Sequence, residues 1–328
     1  MPPKIDPAIL KALSLDEANT TISSHGGSGF VSTFKLTTKD KDEKEKLYFV
    51  KTGKGRECEI MFAGEHASLN AIHSAVPSLC PTSHAHGPLS HPPNTFFLAT
   101  DFLALSSSPS SGASLPHKLA LLHSTPAPIP PGHTVPQFGF HLPTCCGDTV
   151  QDNTYHPSWS TFFSECRLTH ILSCAEKNNG PDTDLSSLVQ QTCSIVVPRL
   201  LRDGHLRSAE GSNITPVLVH GDLWSGNHGR GSIDGGAVEE RVFDPSCCWA
   251  HSEFEFGIMG MFGGFGGRFR EEYWGVKGKD EPVEEWEDRV ALYELYHHLN
   301  HYSIFGGSYR GGAVRIMKSS LKKYGDGG

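Results

Sequence analysis

Residues 220–227 read HGDLWSGN and follow directly on a short apolar run, residues 217–219. This stretch places a carboxylate, Asp222, and a carboxamide, Asn227, five positions apart. A second short apolar run further along the chain ends at another carboxylate, Asp244. Short apolar runs bounded by turn residues are typical of buried strands. The sequence therefore predicts two strands that each present an oxygen-bearing side chain near one end.

These three side chains match the requirements of phosphoryl transfer from ATP. That reaction needs a carboxylate at the acceptor hydroxyl and oxygen ligands that hold Mg²⁺ against the phosphates. The spacing of Asp222 and Asn227 equals that of the protein-kinase motif HRDLxxxN, with Gly221 in place of arginine. We predict Asp222 as the catalytic base and Asn227 and Asp244 as metal ligands. The alternative, a polar turn that only caps a helix, leaves the second strand and Asp244 unexplained.

A glycine-dense segment occurs near the start of the chain. Gly26, Gly27 and Gly29 stand just before a run with strand-like alternation. Glycine allows the backbone to approach a ligand closely. The glycines predict a loop, and the position of the segment before the first strand pair favours a hairpin that covers the phosphates of a nucleotide. No Gly-Lys-Ser or Gly-Lys-Thr sequence follows these glycines, so the segment is not a Walker loop.

A lysine and a glutamate follow in the order that ATP-dependent kinases use. A strand ends at Lys51, and residues 57–75 then show helical periodicity and carry Glu65. In kinases such a lysine contacts the α- and β-phosphates and pairs with a glutamate on the next helix. We predict Glu65 as this partner, although the helical phase leaves Glu57 and Glu59 as competitors.

Composition limits the function classes. The 328 residues carry a net charge of −8, which argues against a nucleic-acid-binding protein. No apolar stretch approaches the length of a membrane span, and residues 1–6 lack the layout of a secretory signal. The nine cysteines include two adjacent pairs and no CxxC motif, which indicates reduced thiols. We expect a cytoplasmic protein that binds neither nucleic acid nor membrane.

The order of elements predicts an α+β fold with two lobes of the protein-kinase type. The first lobe, residues 1–103, is β-rich and covers the nucleotide. The second lobe, residues 104–328, is mainly helical and carries the catalytic and substrate-binding groups.

Several stretches spread along the chain resemble the fructosamine/ketosamine kinases, a branch of the aminoglycoside-phosphotransferase-like kinases. They are residues 64–69 (GEHASL), 138–151 (FGFHLPTCCGDTVQ), 220–227 (HGDLWSGN), 243–245 (FDP), 251–255 (HSEFE), 260–265 (GMFGGF) and 296–309 (YHHLNHYSIFGGSY). The tryptophan in the catalytic loop and the SEFE run separate this branch from choline and antibiotic kinases.

The resemblance implies ATP- and Mg²⁺-dependent phosphorylation of the 3-hydroxyl of ketosamines. These are adducts of sugars with proteins or free amines, and their 3-phosphates are unstable, so that the amine is recovered. The preferred ketosamine, fructosamine or ribulosamine, stays open. We expect a monomer or weak dimer.

The resemblance also implies further site residues. The backbone of Asp101, Phe102 and Leu103 is expected to hold adenine. The candidate substrate residues are His220, Trp224 and Glu253.

Two other functions stay open from the sequence. One is a kinase for another small hydroxylated molecule, such as an aminoglycoside or choline. The other is a catalytically silent ATP-binding scaffold, whose signature would be the loss of a catalytic or phosphate-binding residue. The chain retains Lys51, Asp222, Asn227 and Asp244.

Overall fold

The computed structural model describes residues 4–28, 31–39 and 42–325. The chain divides into two compact units. Unit 1 comprises Met1–Lys118 and Asn227–Pro245, and unit 2 comprises Leu119–Gly226 and Ser246–Gly328. The sequence predicts one boundary, after residue 103, between the two lobes, and this division stays a prediction.

The strands of the described residues are, in chain order, β1 (Thr21–Ser28), β2 (Val31–Lys39), β3 (Glu45–Lys54), β4 (Ser83–Pro88), β5 (Thr95–Asp101), β6 (Leu103–Leu105), β7 (Cys145–Cys146), β8 (Thr149–Val150), β9 (Val217–Val219), β10 (His228–Ile233), β11 (Glu239–Val242) and β12 (Cys248–Ala250). The α-helices are α1 (Pro7–Leu13), α2 (Arg56–Ala75), α3 (Leu115–Leu122), α4 (Trp159–Phe162), α5 (His170–Asn179), α6 (Thr183–Gln191), α7 (Val197–Leu201), α8 (Phe256–Met259), α9 (Gly267–Lys277), α10 (Trp286–Phe305) and α11 (Tyr309–Tyr324).

Unit 1 is built on an antiparallel sheet with the strand order β1-β2-β3-β5-β4. Its two faces are covered by different helices. Ile9 of α1 packs against one face, in a cluster with Leu36 and Val50. Phe62 of α2 packs against the other face, beside Leu98. Successive strand residues point to opposite faces of the sheet. Lys51 therefore lies on the face that α2 covers, and Val50 lies on the other face.

A second sheet in unit 1 joins distant parts of the sequence. Its order is β11-β10-β6, and all neighbours are antiparallel. Leu103 of β6 lies opposite Ile233 of β10, and His228 of β10 lies opposite Val242 of β11. The hairpin of β10 and β11 therefore belongs with the first 118 residues, although it follows them by more than a hundred positions.

Unit 2 is mainly helical, and its other elements pack around α10. Trp159, at the start of α4, is fully buried and donates its indole N–H to the Tyr293 hydroxyl of α10 at 2.9 Å. Arg289 of α10 is also fully buried, and its guanidinium forms hydrogen bonds of 2.6 and 2.9 Å to the two carboxylate oxygens of Glu253. A buried charge is tolerated when it is paired in this way. Helix α10 thus links the core to the segment that follows β12.

Candidate active site

Lys51 is the centre of a charged cluster in unit 1. Its ammonium nitrogen lies 2.8 and 2.9 Å from the two carboxylate oxygens of Glu65 and 2.6 Å from Oδ1 of Asp244. The Lys51 and Glu65 side chains are 14% and 10% exposed, whereas that of Asp244 is 52% exposed. The cluster therefore has a buried part, the Lys51–Glu65 ion pair, and an accessible carboxylate, that of Asp244.

The phase of α2 explains why Glu65 pairs with the lysine. Buried residues recur along one stripe of this helix at Cys58, Phe62 and Leu69, and Glu65 falls on the same stripe. Glu57 and Glu59 lie on the exposed side of the first turn. Because Lys51 points to the face of the sheet that α2 covers, only Glu65 of the three competitors reaches it.

Charge holds this cluster together. Burial lowers the pKa of Lys51, but the negative charges of Glu65 and Asp244 outweigh it and raise that pKa above its usual range. The lysine is therefore a permanent cation. Burial raises the pKa of Glu65; the charge of Lys51 opposes that rise, and the charge of Asp244 adds to it. Two acidic side chains that share one cation can accommodate a further positive charge beside Asp244.

Strand pairing brings Asn227 next to Asp244. Asn227 directly precedes β10, and Phe243 directly follows β11. The Phe243 N–H donates to the Asn227 carbonyl oxygen at 3.0 Å, which continues the pairing of the two strands by one position. Residues separated by seventeen positions in the sequence thus meet at one end of a hairpin. Carboxylate and carboxamide oxygens are hard donors of the kind that Mg²⁺ prefers, so these residues fit that ion.

Asp244 has a left-handed backbone, with φ of 56°. Among residues with side chains, Asp and Asn adopt this conformation with the least strain. The backbone thus favours these two residue types at this position.

Gly26 and Gly27 lie in the first arm of the β1–β2 hairpin and not in a loop. Gly26 and Gly27 belong to β1, and the register against β2 shifts between Ser24 and Gly27. Their φ angles are +102° and +143°, and a Cβ on Gly27 would lie 2.9 Å from the carbonyl oxygen of Val31. The glycines therefore permit a bulge close to the neighbouring strand. Gly29 lies outside the described residues.

Asp101 and Phe102 are anchored within unit 1. The Asp101 carboxylate accepts the Thr82 N–H at 2.9 Å and lies 2.6 Å from Nε2 of His84. The Phe102 N–H donates to the Leu47 carbonyl at 3.2 Å. The Asp101 side chain and the Phe102 N–H are thus already engaged. An adenine contact of residues 101–103 would use other backbone groups, and it stays a proposal.

The loop that carries Asp222 lies in unit 2. The loop follows β9, which pairs with β12. The Asp222 N–H donates to Nδ1 of His220 at 3.2 Å, and the His220 carbonyl accepts the Ser246 N–H at 2.8 Å. Gly221 has φ of +82°, and a Cβ there would lie 2.1 Å from the Ser246 carbonyl oxygen. Only glycine fits so close to a neighbouring backbone, which explains why the arginine of the protein-kinase motif is absent.

Glu255 braces this loop from the interior. Its carboxylate, 1% exposed, accepts the N–H groups of His220 at 2.6 Å and Gly221 at 3.0 Å. Nε2 of His123 lies 3.4 Å away, and Nδ1 of that ring lies 2.7 Å from the Tyr273 hydroxyl. Burial raises the pKa of Glu255, but these donors and the nearby histidines together lower it below its usual range. The ionised Glu255 carboxylate accepts a hydrogen bond from Nε2–H of His123. Nδ1 of that ring is then unprotonated and accepts a hydrogen bond from the Tyr273 hydroxyl. Glu255 belongs to residues 251–255, one of the stretches that carry the family resemblance, whereas nothing in the sequence pointed to His123.

We expect Glu255→Gln to destabilise unit 2 and to reduce turnover. An amide presents one acceptor oxygen to two buried backbone N–H groups, and an unpaired buried donor costs about 1–3 kcal/mol. Chemical denaturation measures the free energy of unfolding, and steady-state kinetics measures kcat. Glu294→Gln, on a side chain that is 30% exposed, is the control and should change stability by less than about 0.5 kcal/mol. Equal stability of the two variants would show that Glu255 is not a brace.

The three candidate substrate residues differ in their surroundings. Trp224 is half-buried, and its ring lies 5.5 Å from that of Phe262, which is 42% exposed. His220 is fully buried, and Glu253 is 3% exposed with both oxygens on Arg289. A ligand cannot reach side chains that are enclosed in this way. The expectation of substrate contacts for His220 and Glu253 is therefore corrected: one orients the loop, and the other anchors α10.

Glu253 also belongs to a buried group with potential metal-binding atoms. His251, Glu253 and Asp280 place ligand atoms within 4.8 Å of one another. His251 Nε2 lies 2.9 Å from Asp280 Oδ2, and both Glu253 oxygens accept from Arg289. An arginine in this position supplies the positive charge that a metal would bring, so the group has a structural role.

Comparisons with known proteins find similar sequences over most of the chain. The sequence profile of a family described as fructosamine kinase matches residues 8–323. The chain is 32% identical to a mouse (Mus musculus) ketosamine-3-kinase over 319 residues, which cover 91% of this chain and 94% of the relative. It is 34% identical to a chloroplastic protein-ribulosamine 3-kinase of rice (Oryza sativa subsp. indica) over 275 residues, or 84% of this chain and 72% of the relative.

A crystal structure of a putative fructosamine-3-kinase from Thermobifida fusca has the same fold. It superposes with a TM-score of 0.74 at 21% identity and covers 97% of this chain and 98% of that one. The predicted α+β fold of the kinase type is confirmed. In the part of the chain that the structure describes, every helix is too short or too polar to span a lipid bilayer.

Proposed function

Because the chain belongs to the fructosamine kinase family, we propose that it transfers the γ-phosphoryl group of ATP to the 3-hydroxyl of ketosamines. The observation that carries this proposal is the contact of Lys51 with both Glu65 and Asp244. A buried ion pair that fixes a lysine beside a more exposed aspartate is the arrangement that binds a nucleotide's phosphates in kinases. A sheet that served only structural purposes would have no need for it.

The residues divide the chemistry between them. Asp222 orients the sugar hydroxyl and accepts its proton late in the transfer, while the bond between the γ-phosphorus and ADP breaks and a bond to the sugar oxygen forms. Lys51, held by Glu65, neutralises charge on the phosphate oxygens. Asn227 and Asp244 would hold Mg²⁺, and the ion would supply positive charge against the phosphates. Asp222 belongs to unit 2 but precedes Asn227 by five residues, a span of at most about 18 Å.

The surroundings of the reaction follow from the same proposal. Gly26 and Gly27 cover the phosphates, the backbone of residues 101–103 holds adenine, and Trp224 contacts the acceptor. The acceptors are ketosamines on proteins or on free amines. We propose a cytoplasmic monomer or weak dimer that does not bind nucleic acid.

A panel of acceptors tests the function. We expect ADP release above the acceptor-free background with ribulosyl-lysine and fructosyl-lysine, but not with choline or an aminoglycoside. The two ketosamines are compared at equal concentration, and phosphorus NMR identifies the phosphorylated hydroxyl. Turnover of choline or the aminoglycoside alone would assign the chain to another small-molecule kinase activity. A thermal shift with Mg-ATP and no turnover on any acceptor would identify a silent scaffold.

A further inference from the structure

Helix α9 reaches the buried side of the loop that carries Asp222 (residues 220–226, the Asp222 loop) through one side chain. Tyr273 is the one buried side chain of this helix. Its hydroxyl lies 2.7 Å from Nδ1 of His123, and Nε2 of that ring lies 3.4 Å from the Glu255 carboxylate. Glu255 in turn accepts two backbone N–H groups of the Asp222 loop, at 2.6 and 3.0 Å. A chain of hydrogen bonds within unit 2 therefore runs from α9 to the loop.

The protonation states give this chain a direction. Burial raises the pKa of Tyr273 far above its usual range, and the charge of Asp280 raises it further, so the hydroxyl keeps its proton. Burial lowers the pKa of His123 below its usual range, although the hydrogen bond to Glu255 opposes that effect. A neutral imidazole has one N–H donor and one acceptor nitrogen. The hydroxyl therefore donates to Nδ1, and Nε2–H donates to the carboxylate.

The residues that lead into α9 contact the same loop from its exposed side. They are residues 260–266 (GMFGGFG), and the ring of Phe262 lies 5.5 Å from that of Trp224. Gly264 has φ of +99°, and a Cβ there would lie 2.9 Å from the Ser225 Cβ. Phe262 and Gly264 are both exposed. A ligand that contacts Trp224 therefore also meets the 260–266 segment.

One continuous stretch of chain makes both contacts. The 260–266 segment lies against the exposed side of the Asp222 loop, and Tyr273 follows seven residues later on α9. A displacement of α9 relative to the loop would therefore disturb both contacts. Hydrogen bonds are directional, so the buried chain sets the position of α9 more narrowly than a ring contact alone would.

We propose that Tyr273 is a positioning residue, which holds the 260–266 segment and the Asp222 loop together so that the acceptor meets the base in a fixed position. This role rests on the proposed function, in which Asp222 is the base and Trp224 contacts the acceptor. The Tyr273 hydroxyl is enclosed and acts through His123 and Glu255. Small misplacements of a reacting group cost up to about a hundredfold in rate. Loss of the hydroxyl should therefore affect the acceptor side of the reaction and not the binding of ATP.

Tyr273→Phe tests this role, because it removes the hydroxyl and keeps the ring. We expect kcat to fall about fivefold and KM for the ketosamine to rise about threefold, while KM for ATP changes less than about twofold. The control is Tyr293→Phe. Tyr293 is also fully buried, and its hydroxyl lies 2.9 Å from the Trp159 indole nitrogen and 2.8 Å from Nδ1 of His251. That variant should lose thermal stability to a similar extent but keep the wild-type kcat. Wild-type kinetics in Tyr273→Phe, or the same kinetic loss in Tyr293→Phe, would overturn the proposal.

A double variant shows whether the hydroxyl acts through Glu255. The Glu255→Gln background lacks the carboxylate that receives the chain. Adding Tyr273→Phe to it should change kcat less than about twofold, because both substitutions interrupt the same chain. Losses that multiply would show that Tyr273 acts independently of Glu255, contrary to the proposal.

Nitrogen-15 NMR of the histidine rings tests the chain without any need for activity. The signals of His123 in the full-length protein are identified by their absence in His123→Gln. We expect the Nε2–H tautomer in wild type, and in Tyr273→Phe a shift of the Nδ1 resonance toward that of an acceptor without a hydrogen bond. A wild-type ring protonated at Nδ1, or an Nδ1 resonance that does not move, would refute the chain. This result is obtained even if no ketosamine is turned over, so failure of the proposed function and failure of this inference remain distinguishable.

Discussion

Replacing Asp222 with asparagine is expected to reduce kcat by about a thousandfold, within the range that a positioned acid or base contributes. Asparagine has the same shape as aspartate but cannot take up the proton of the acceptor hydroxyl. The Asp222 backbone N–H bonds to the His220 ring, a contact that the substitution preserves. We therefore expect a folded protein that lacks turnover.

Binding of ATP separates this outcome from general damage. The phosphate- and metal-binding candidates Lys51, Asn227 and Asp244 belong to unit 1, whereas Asp222 belongs to unit 2. Isothermal titration with Mg-ATP should give an affinity within about threefold of wild type, because Asp222 is not among these candidates. A tenfold loss of affinity would correspond to about 1.4 kcal/mol of binding free energy. Asp148→Asn, on an exposed aspartate between β7 and β8, is the matched control and should retain wild-type kcat. Persistent turnover in Asp222→Asn would exclude Asp222 as the base.

Sequence reasoning identified the charged groups because their spacing is set by local structure. Asp222 and Asn227 follow one strand, and Lys51 comes directly after the apolar run 47–50, although its strand continues beyond the predicted end to Lys54. The choice of Glu65 over Glu57 and Glu59 needed the phase of α2 relative to the sheet. Such a phase depends on tertiary packing, which a single sequence does not contain.

Other features were out of reach for a physical reason. Helix α9 has one buried side chain, Tyr273, so its sequence lacks the apolar stripe by which helices are predicted. Gly26 and Gly27 were predicted as a loop because their conformations are foreign to regular strands, yet pairing with β2 incorporates them into β1 as a bulge. The brace from His123 through Glu255 to the catalytic loop joins positions 132 and 35 apart, a separation at which sequence patterns give no signal.

Asn227 and Asp244 lie at the same end of the β10–β11 hairpin, where we predict that they bind Mg²⁺ together. Asp244→Asn removes the only full negative charge that this pair of predicted ligands offers, while Asn227 remains. Mg²⁺ binds few protein ligands and depends on carboxylate charge. We expect kcat/KM for Mg-ATP to fall about a thousandfold, and the Mg²⁺ concentration that gives half-maximal activity to rise.

The backbone conformation at position 244 allows asparagine as well as aspartate, so Asp244→Asn changes the charge without adding backbone strain. Asp244 has φ of 56°, a conformation that asparagine also tolerates, and Lys51 keeps its ion pair with Glu65. The matched control is Asp234→Asn, an aspartate with φ of 49° that lies between β10 and β11 in the same unit and accepts the Leu47 N–H at 3.3 Å. That variant should keep the wild-type Mg²⁺ dependence, because an asparagine oxygen can still accept the N–H. If the two variants showed the same Mg²⁺ dependence, Asp244 could not be a metal ligand, and its contact with Lys51 would have to be assigned to folding alone.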